Sequence, residues 1–171
     1  VKSSFIHIDY LIHSAGVFYS GRIEDASLGN LDEMYRVNTR APYFLTKQLL
    51  KQLKNSKGWI VFLNSTAGLN SWKRIGQYAA TKHALIAIAG SLQAELETAG
   101  IKVTSVYPSA TDTPMQKKIH TAENRKYNPE KLMPASEVAE IIVELLSKSS
   151  RTVVSEIVIR SLQSRVTTKF R

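Results

Sequence analysis

In the stretch GQYAATKHAL, residues 76–85, Tyr78 and Lys82 stand four positions apart. The stretch is rich in alanine, lacks proline and carries Gly76 only at its leading edge, so it predicts a helix. Positions i and i+4 share a helix face, which makes the phenol and the ammonium neighbours. A free phenol has a pKa of ~10 and is a poor base near neutrality. An ammonium one turn away favours the phenolate. Lowering the phenol to ~7 takes roughly 4 kcal/mol, within reach of a lysine in a partly desolvated crevice helped by a cationic cofactor ring. With a serine hydroxyl to hold a substrate oxygen, the pair suits proton transfer at a carbinol or carbonyl, the hydride coming from a nicotinamide. Alone, the same spacing also arises as a surface pair.

The elements around this stretch must bring such groups together. IDYLIHSAG (8–16) reads as a buried strand ending in a tight turn at Ala15-Gly16. Residues 30–53 read as a helix, with Asn30 as N-cap, Glu33 at the capping-box position and a kink near Asn38 to Pro42. GWIVFLNS (58–65) is a second strand, and a helix from Gln77 to Ala99 follows, stopped by Gly100. IKVTSVYP (101–108) is a third strand, and 109–134 is polar, basic and irregular. SEVAEIIVELLSK (136–148) is a helix capped by Ser136, VVSEIVIR (153–160) is a fourth strand, and the tail is polar. Continuous apolar strands alternating with helices predict an α/β fold with a parallel sheet covered on both faces. Four strands are few for such a sheet, and the first is expected to have a bare edge. Ligands bind beyond the carboxyl ends of parallel strands. Those ends are Ala15-Gly16, Ser65 and Pro108-Ser109, and the Tyr78 helix begins just past the second.

Composition narrows the remaining classes. The chain has 171 residues, with 23 basic and 14 acidic side chains and a formal charge of +9. The basic residues are dispersed, with small clusters at 47–57, 117–131 and 165–171, and show no nucleic-acid-binding signature. They read as a solvated surface. No apolar run is long enough to span a bilayer. Cysteine is absent, which excludes disulfides and thiolate metal sites and suits a reducing, cytoplasmic compartment. His7, His13, His83 and His120 show no metal-ligand spacing, and His83 should point away from the crevice. Trp59, Trp72 and Tyr107 are expected to pack rather than bind.

The whole set of motifs resembles the classical short-chain dehydrogenase/reductase family. Ser65 lies thirteen positions before Tyr78, in LNSTAG, which is similar to the family's strand end carrying the catalytic serine. YRVNTRAP resembles the helix segment of its fourth catalytic residue and points to Asn38. HSAG (13–16) resembles the Asn-Asn-Ala-Gly turn beside the cofactor, and YPSATDTPM (107–115) the Pro-Gly turn and later threonine that hold the nicotinamide carboxamide.

By resemblance, Tyr78 is the general acid/base and Lys82 lowers its pKa and holds the nicotinamide ribose. Ser65 orients the substrate oxygen, and Asn38 supports a water-mediated proton relay through Lys82. Ser14, Ala15 and Gly16 lie against the cofactor ribose. Pro108 forms the turn, and Thr111, through its backbone, and Thr113 hold the carboxamide. The resemblance implies an NAD(P)-dependent oxidoreductase interconverting an alcohol and a ketone or aldehyde, with 3-oxoacyl reduction among such reactions. The cofactor is NAD or NADP, with NADP favoured. Partners are a small-molecule substrate and further copies of the chain, as dimer or tetramer. The helices at 30–53 and 77–99 would pair between subunits, with Ala87, Ala89, Gly90 and Ala94 allowing close approach.

Three positions depart from the pattern: His13 and Ser14 replace the two asparagines, and Ser109 replaces a glycine. The family's glycine-rich phosphate turn, G-x-x-x-G-x-G, is not in the sequence. The chain also opens on Val1. The expectation is a Rossmann-type doubly wound sheet without its first three strands, ~75–80 residues of a ~250-residue domain. Residues 1–171 would then be the C-terminal two-thirds of one nucleotide-binding domain. A non-catalytic NAD(P)-sensing or interaction protein on the same scaffold is the alternative.

Overall fold

A computed structural model describes residues 6–162; the basic cluster at 165–171 lies outside them. Four strands form one parallel sheet: β1 (Tyr10–His13), β2 (Trp59–Leu63), β3 (Lys102–Pro108) and β6 (Glu156–Ile159), in the order β1-β2-β3-β6. The register sets Tyr10 against Trp59, Ile60 against Val103 and Ser105 against Glu156. β2 is central and its side chains are buried on both faces. Ile60 and Phe62 meet Leu53, Leu85, Ala89 and Leu96 from the helices on one side. Trp59 and Val61 meet Val138, Ile142 and Leu145 from the helix on the other. Strand alternation thus feeds two cores, as a doubly wound sheet requires. Among the described residues β1 pairs only with β2, and its Tyr10 and Ile12 remain half exposed.

The first long helix is three pieces: α1 (Leu28–Tyr35), a π-helical turn (Arg36–Arg40) and α2 (Ala41–Ser56). Pro42 supplies the reason. It has no N–H for the carbonyl of Asn38, and its ring crowds that carbonyl, so the helix widens. Ala41 N accordingly donates to Arg36 O, five residues back. The expected kink is therefore a π turn. Asn30 does not cap the helix. The helix starts at Leu28 after Ser27, without a side-chain cap, so Asn30 sits inside its first turn.

A 3₁₀ turn (Thr66–Gly68) leads from β2 toward α3 (Gly76–Leu96), and a further 3₁₀ turn (Glu97–Ala99) ends at Gly100. Gly100 has a φ of 72°, the left-handed stop that glycine adopts without steric cost.

The span read as irregular contains structure. β4 (Thr111–Asp112) and β5 (Met133–Pro134) pair in parallel, and α4 (Pro114–Ala122) lies between them. Thr113 caps α4 by accepting from Gln116 N, and Pro114 occupies the first turn. The Thr-Pro pair followed by Met115 and Ile119 at helical spacing was the available signal, obscured by the basic character of a short segment. The next helix, α5 (Ala135–Leu146), follows Pro134 without a side-chain cap, so Ser136 lies within it rather than before it. Among the described residues, no helix is long and apolar enough to cross a membrane.

Candidate functional site

A crevice of about 540 Å³ opens beyond the carboxyl ends of β1, β2 and β3. Ser14, Ala15, Gly16, Ser65, Tyr78, Lys82, Pro108, Thr111 and Thr113 all line it. Three strand ends and the first turns of α3 deliver most of them, as the topology of a parallel sheet dictates, and β4 and the cap of α4 add Thr111 and Thr113.

Ser65 stands on the shoulder of β2 in extended backbone, where its hydroxyl accepts from Ala67 N at 3.1 Å. Gly68 allows this turn to press on α3. A Cβ there would stand 2.7 Å from Asn64 Oδ1 and 3.2 Å from the Lys82 carbonyl. Tyr78 reaches the crevice from the first turn of α3, and Phe18 packs edge-on against its ring at 4.8 Å.

Electrostatics at the pair differ from the simple picture of an ammonium acidifying a phenol. Tyr78 as a whole is half-buried. Its phenol is nonetheless deep enough that lost hydration pushes its pKa up to about 12, with the Ser65 hydroxyl opposing the rise. Burial likewise pushes Lys82 down to about 8. The Lys82 ammonium donates to Leu63 O at 3.0 Å and sits 5.8 Å from the centre of the Tyr78 ring. Desolvation therefore outweighs their attraction in the free protein, and the ~7 expected for Tyr78 is not reached there.

Asn38 lies behind the crevice wall, 1% exposed in the π turn. Its Nδ2 donates to Val17 O at 2.9 Å and to Thr81 Oγ1 at 3.2 Å, while its Oδ1 accepts from Val17 N at 2.8 Å. The side chain thus clamps the loop after Gly16. Its side-chain amide is thereby committed, and Pro42 removes the i+4 N–H donor to its carbonyl.

His13, in place of asparagine, is buried at the end of β1. It bonds Thr46 Oγ1 at 2.8 Å and stacks on Phe62, and burial lowers its pKa to about 4. Ser109, in place of glycine, turns aside: its N donates to Ile159 O and its Oγ accepts from Ser161 N. The Thr111 hydroxyl donates to Ser109 O, which leaves its backbone for other partners. Thr113 Oγ accepts from Gln116 N, so its O–H proton still has a free direction. These donors and the two carbonyl-end turns fit a nicotinamide nucleoside.

His83 bonds its own helix at Ala79 O, away from the crevice. Trp59 and Tyr107 pack as expected, bonded to Thr104 and Glu156. Trp72 does not: it is 40% exposed and lines the crevice with Phe18, Ile75, Met115 and Ile119. Its loop lacks any periodic pattern, which is why sequence reasoning missed it. Ala89 is also reassigned. It is packed in the core, whereas Ala87, Gly90 and Ala94 are exposed.

The sequence model of the family described as short chain dehydrogenase matches residues 1–124. An uncharacterized oxidoreductase of Staphylococcus epidermidis is 36% identical over 161 residues, 94% of this chain and 67% of that protein. One from Staphylococcus aureus is 29% identical over 160 residues, 93% and 67% of the two chains. The fold resembles an alcohol dehydrogenase of the archaeon Thermococcus sibiricus complexed with 5-hydroxy-NADP, at a TM-score of 0.83 and 24% identity over 94% of this chain and 66% of that one. It also resembles a 4-hydroxyisoleucine dehydrogenase complexed with NADH and succinate, at a TM-score of 0.76 and 25% identity over 91% and 68% of the two chains. The chain spans about two-thirds of the length of the relatives it matches. With a parallel α/β sheet, a serine, tyrosine and lysine at one crevice and a family match over residues 1–124, the chain belongs to the short-chain dehydrogenase family.

Proposed function

We propose that this chain carries the catalytic half of an NAD(P)-dependent oxidoreductase that interconverts an alcohol and a ketone or aldehyde. The observation that carries the reading is the meeting of Ser65, Tyr78 and Lys82 at the carboxyl ends of β2 and β3. A nicotinamide, when bound, supplies or accepts the hydride. In the reducing direction, Ser65 and Tyr78 hold the carbonyl oxygen. A carbonyl carbon that receives hydride would turn its C=O π pair into an O–H bond with the proton that Tyr78 gives up, leaving an alcohol and a Tyr78 phenolate. Lys82 refills Tyr78 with a proton and holds the nicotinamide ribose. Asn38 serves the relay through its carbonyl while its side chain holds Val17. Oxidation reverses each step. A cationic nicotinamide, were it held in this crevice, would supply the acidifying charge that Lys82 alone does not.

Ser14, Ala15 and Gly16 would hold the ribose side, and Pro108, Thr111 and Thr113 the carboxamide. NAD and NADP both remain candidates, since the cited neighbours carry NADH and an NADP derivative. Residues 1–171 would form the C-terminal two-thirds of one nucleotide-binding domain, assembling as a dimer or tetramer in the cytoplasm. The test is turnover: a panel of carbonyls with NADH and NADPH, with and without Tyr78→Phe. NAD(P)H oxidation that needs no Tyr78 hydroxyl contradicts the reading.

A further inference from the structure

The outer half of the crevice differs in chemistry from the half that surrounds Ser65 and Lys82. Its walls are Phe18, Trp72, Ile75, Met115 and Ile119. Two of these come from loops that are fastened together. Gly21 N donates to Arg74 O at 2.8 Å, tying the Phe18 loop to the Trp72 loop. Arg74 holds a φ of 72°, a left-handed conformation that a non-glycine residue adopts only where neighbouring contacts maintain it. Trp72 is thus a large aromatic kept 40% exposed at the mouth of a crevice by a braced loop.

The charged side chains lining the crevice are already engaged. Lys82 is turned onto Leu63 O. Arg125 directs both Nε and an Nη at one oxygen of Glu123, at 2.7 and 2.5 Å. That pair contributes no net charge to the wall. A substrate carboxylate would have to share Arg125 with Glu123, which already holds it, or lie against hydrocarbon at a desolvation cost.

Building on the oxidoreductase reading, we infer that this site takes an uncharged ketone or secondary alcohol bearing an aryl or branched-alkyl group. That group seats against Phe18 and Trp72, with Trp72 as the residue that sets the preference. Aromatic and aliphatic walls reward apolar area removed from water, and an indole adds edge or face contact with an aryl ring.

The test compares size-matched pairs, an aryl methyl ketone against an aryl 2-oxo acid, and a branched alkyl ketone against its 2-oxo acid, using the full enzyme and its preferred nicotinamide. The neutral member should be favoured in kcat/KM by about tenfold or more. Trp72→Ala should raise KM for the aryl ketone by about tenfold, more than for a small methyl ketone, with a smaller change in kcat. Preference for the oxo acids, abolished by Arg125→Gln, overturns the inference and leaves the oxidoreductase reading standing. So does a Trp72→Ala variant with an unchanged aryl-to-methyl ratio. Turnover of no carbonyl sinks the oxidoreductase reading. In that case saturable quenching of Trp72 fluorescence by an aryl alcohol, taken as wild type minus Trp72→Phe, still supports the apolar pocket, and its absence overturns it.

Discussion

The Lys82 ammonium is bonded to the carbonyl oxygen of Leu63, the last residue of β2, at 3.0 Å. A buried cation is thereby anchored to the sheet rather than to the phenol one turn before it. Its position is fixed by backbone, 5.8 Å from the centre of the Tyr78 ring.

Tyr78→Phe removes one proton and almost no volume. Carbonyl reduction by the full enzyme should fall by about a thousandfold or more, with nicotinamide affinity held within a few-fold. Steady-state kinetics with fluorescence titration of NAD(P)H checks both. In the wild type, alcohol oxidation should rise with pH as the phenol ionises. Reduction should hold near neutrality and decline only at high pH, since burial pushes Tyr78 up to about 12 before a cofactor adds its charge.

The lysine makes a stability prediction with the opposite sign from an ordinary ion pair. Its pKa is lowered from 10.5 to about 8 in the folded state. Between those values the unfolded chain binds more protons, so this group makes folding more favourable as pH rises from 8 toward 10.5. At neutral pH the burial cost is present in full. Lys82→Met should therefore raise Tm at pH 7 by a few degrees, and the gain should shrink by pH 10. Thermal melts at the two pH values decide it.

His13 provides an acid counterpart. Its pKa is lowered from 6.5 to about 4, so the unfolded chain takes up its proton first as pH falls. Stability should drop progressively between pH 6.5 and 4 and level off below. His13→Asn, the residue the family pattern places there, should flatten that slope. Urea melts across the range would show equal slopes if the imidazole were not responsible.

Asn38 should be costly to lose. Asn38→Ala leaves Val17 N and O and Thr81 Oγ1 without its amide, at about 2–4 kcal/mol. Hydrogen exchange at residues 14–21 should accelerate more than at β3. Uniform acceleration would assign Asn38 to global stability alone.

For the 171-residue chain itself, dinucleotide binding should be weak, because its sequence contains no G-x-x-x-G-x-G turn to cradle a pyrophosphate. Calorimetry giving tight, stoichiometric NAD(P) binding would contradict this.

Much of the architecture was legible because each long element follows one period. β2 and β3 are uninterrupted apolar runs, and α3 runs from Gly76 to a glycine stop. Pro42 announced the break in the first helix but not its form, since a π turn depends on how neighbouring carbonyls are redistributed. Helix starts at Leu28 and Ala135 were missed because backbone and packing, not side-chain caps, set them. Ser65, Tyr78 and Lys82 were readable from register. Trp72 and Phe18 were not, because loops bring them together without any spacing rule. The rise of the Tyr78 pKa in the free protein was not legible, because burial is a property of the assembled crevice, invisible in a pair of letters.

The two short strands β4 and β5 pair Thr111 with Met133 and Asp112 with Pro134. The Tyr127 hydroxyl adds a second tie to Asp112. Everything from Pro114 to Leu132 thus leaves and returns through one short two-stranded ladder, separate from the main sheet and held shut by backbone. Such a segment behaves as a cassette: its length and contents can be exchanged while the proton-transfer groups on β2 and α3 stay where they are. Divergence of selectivity within one scaffold then needs no redesign of its chemistry, only a different insert between two fixed posts.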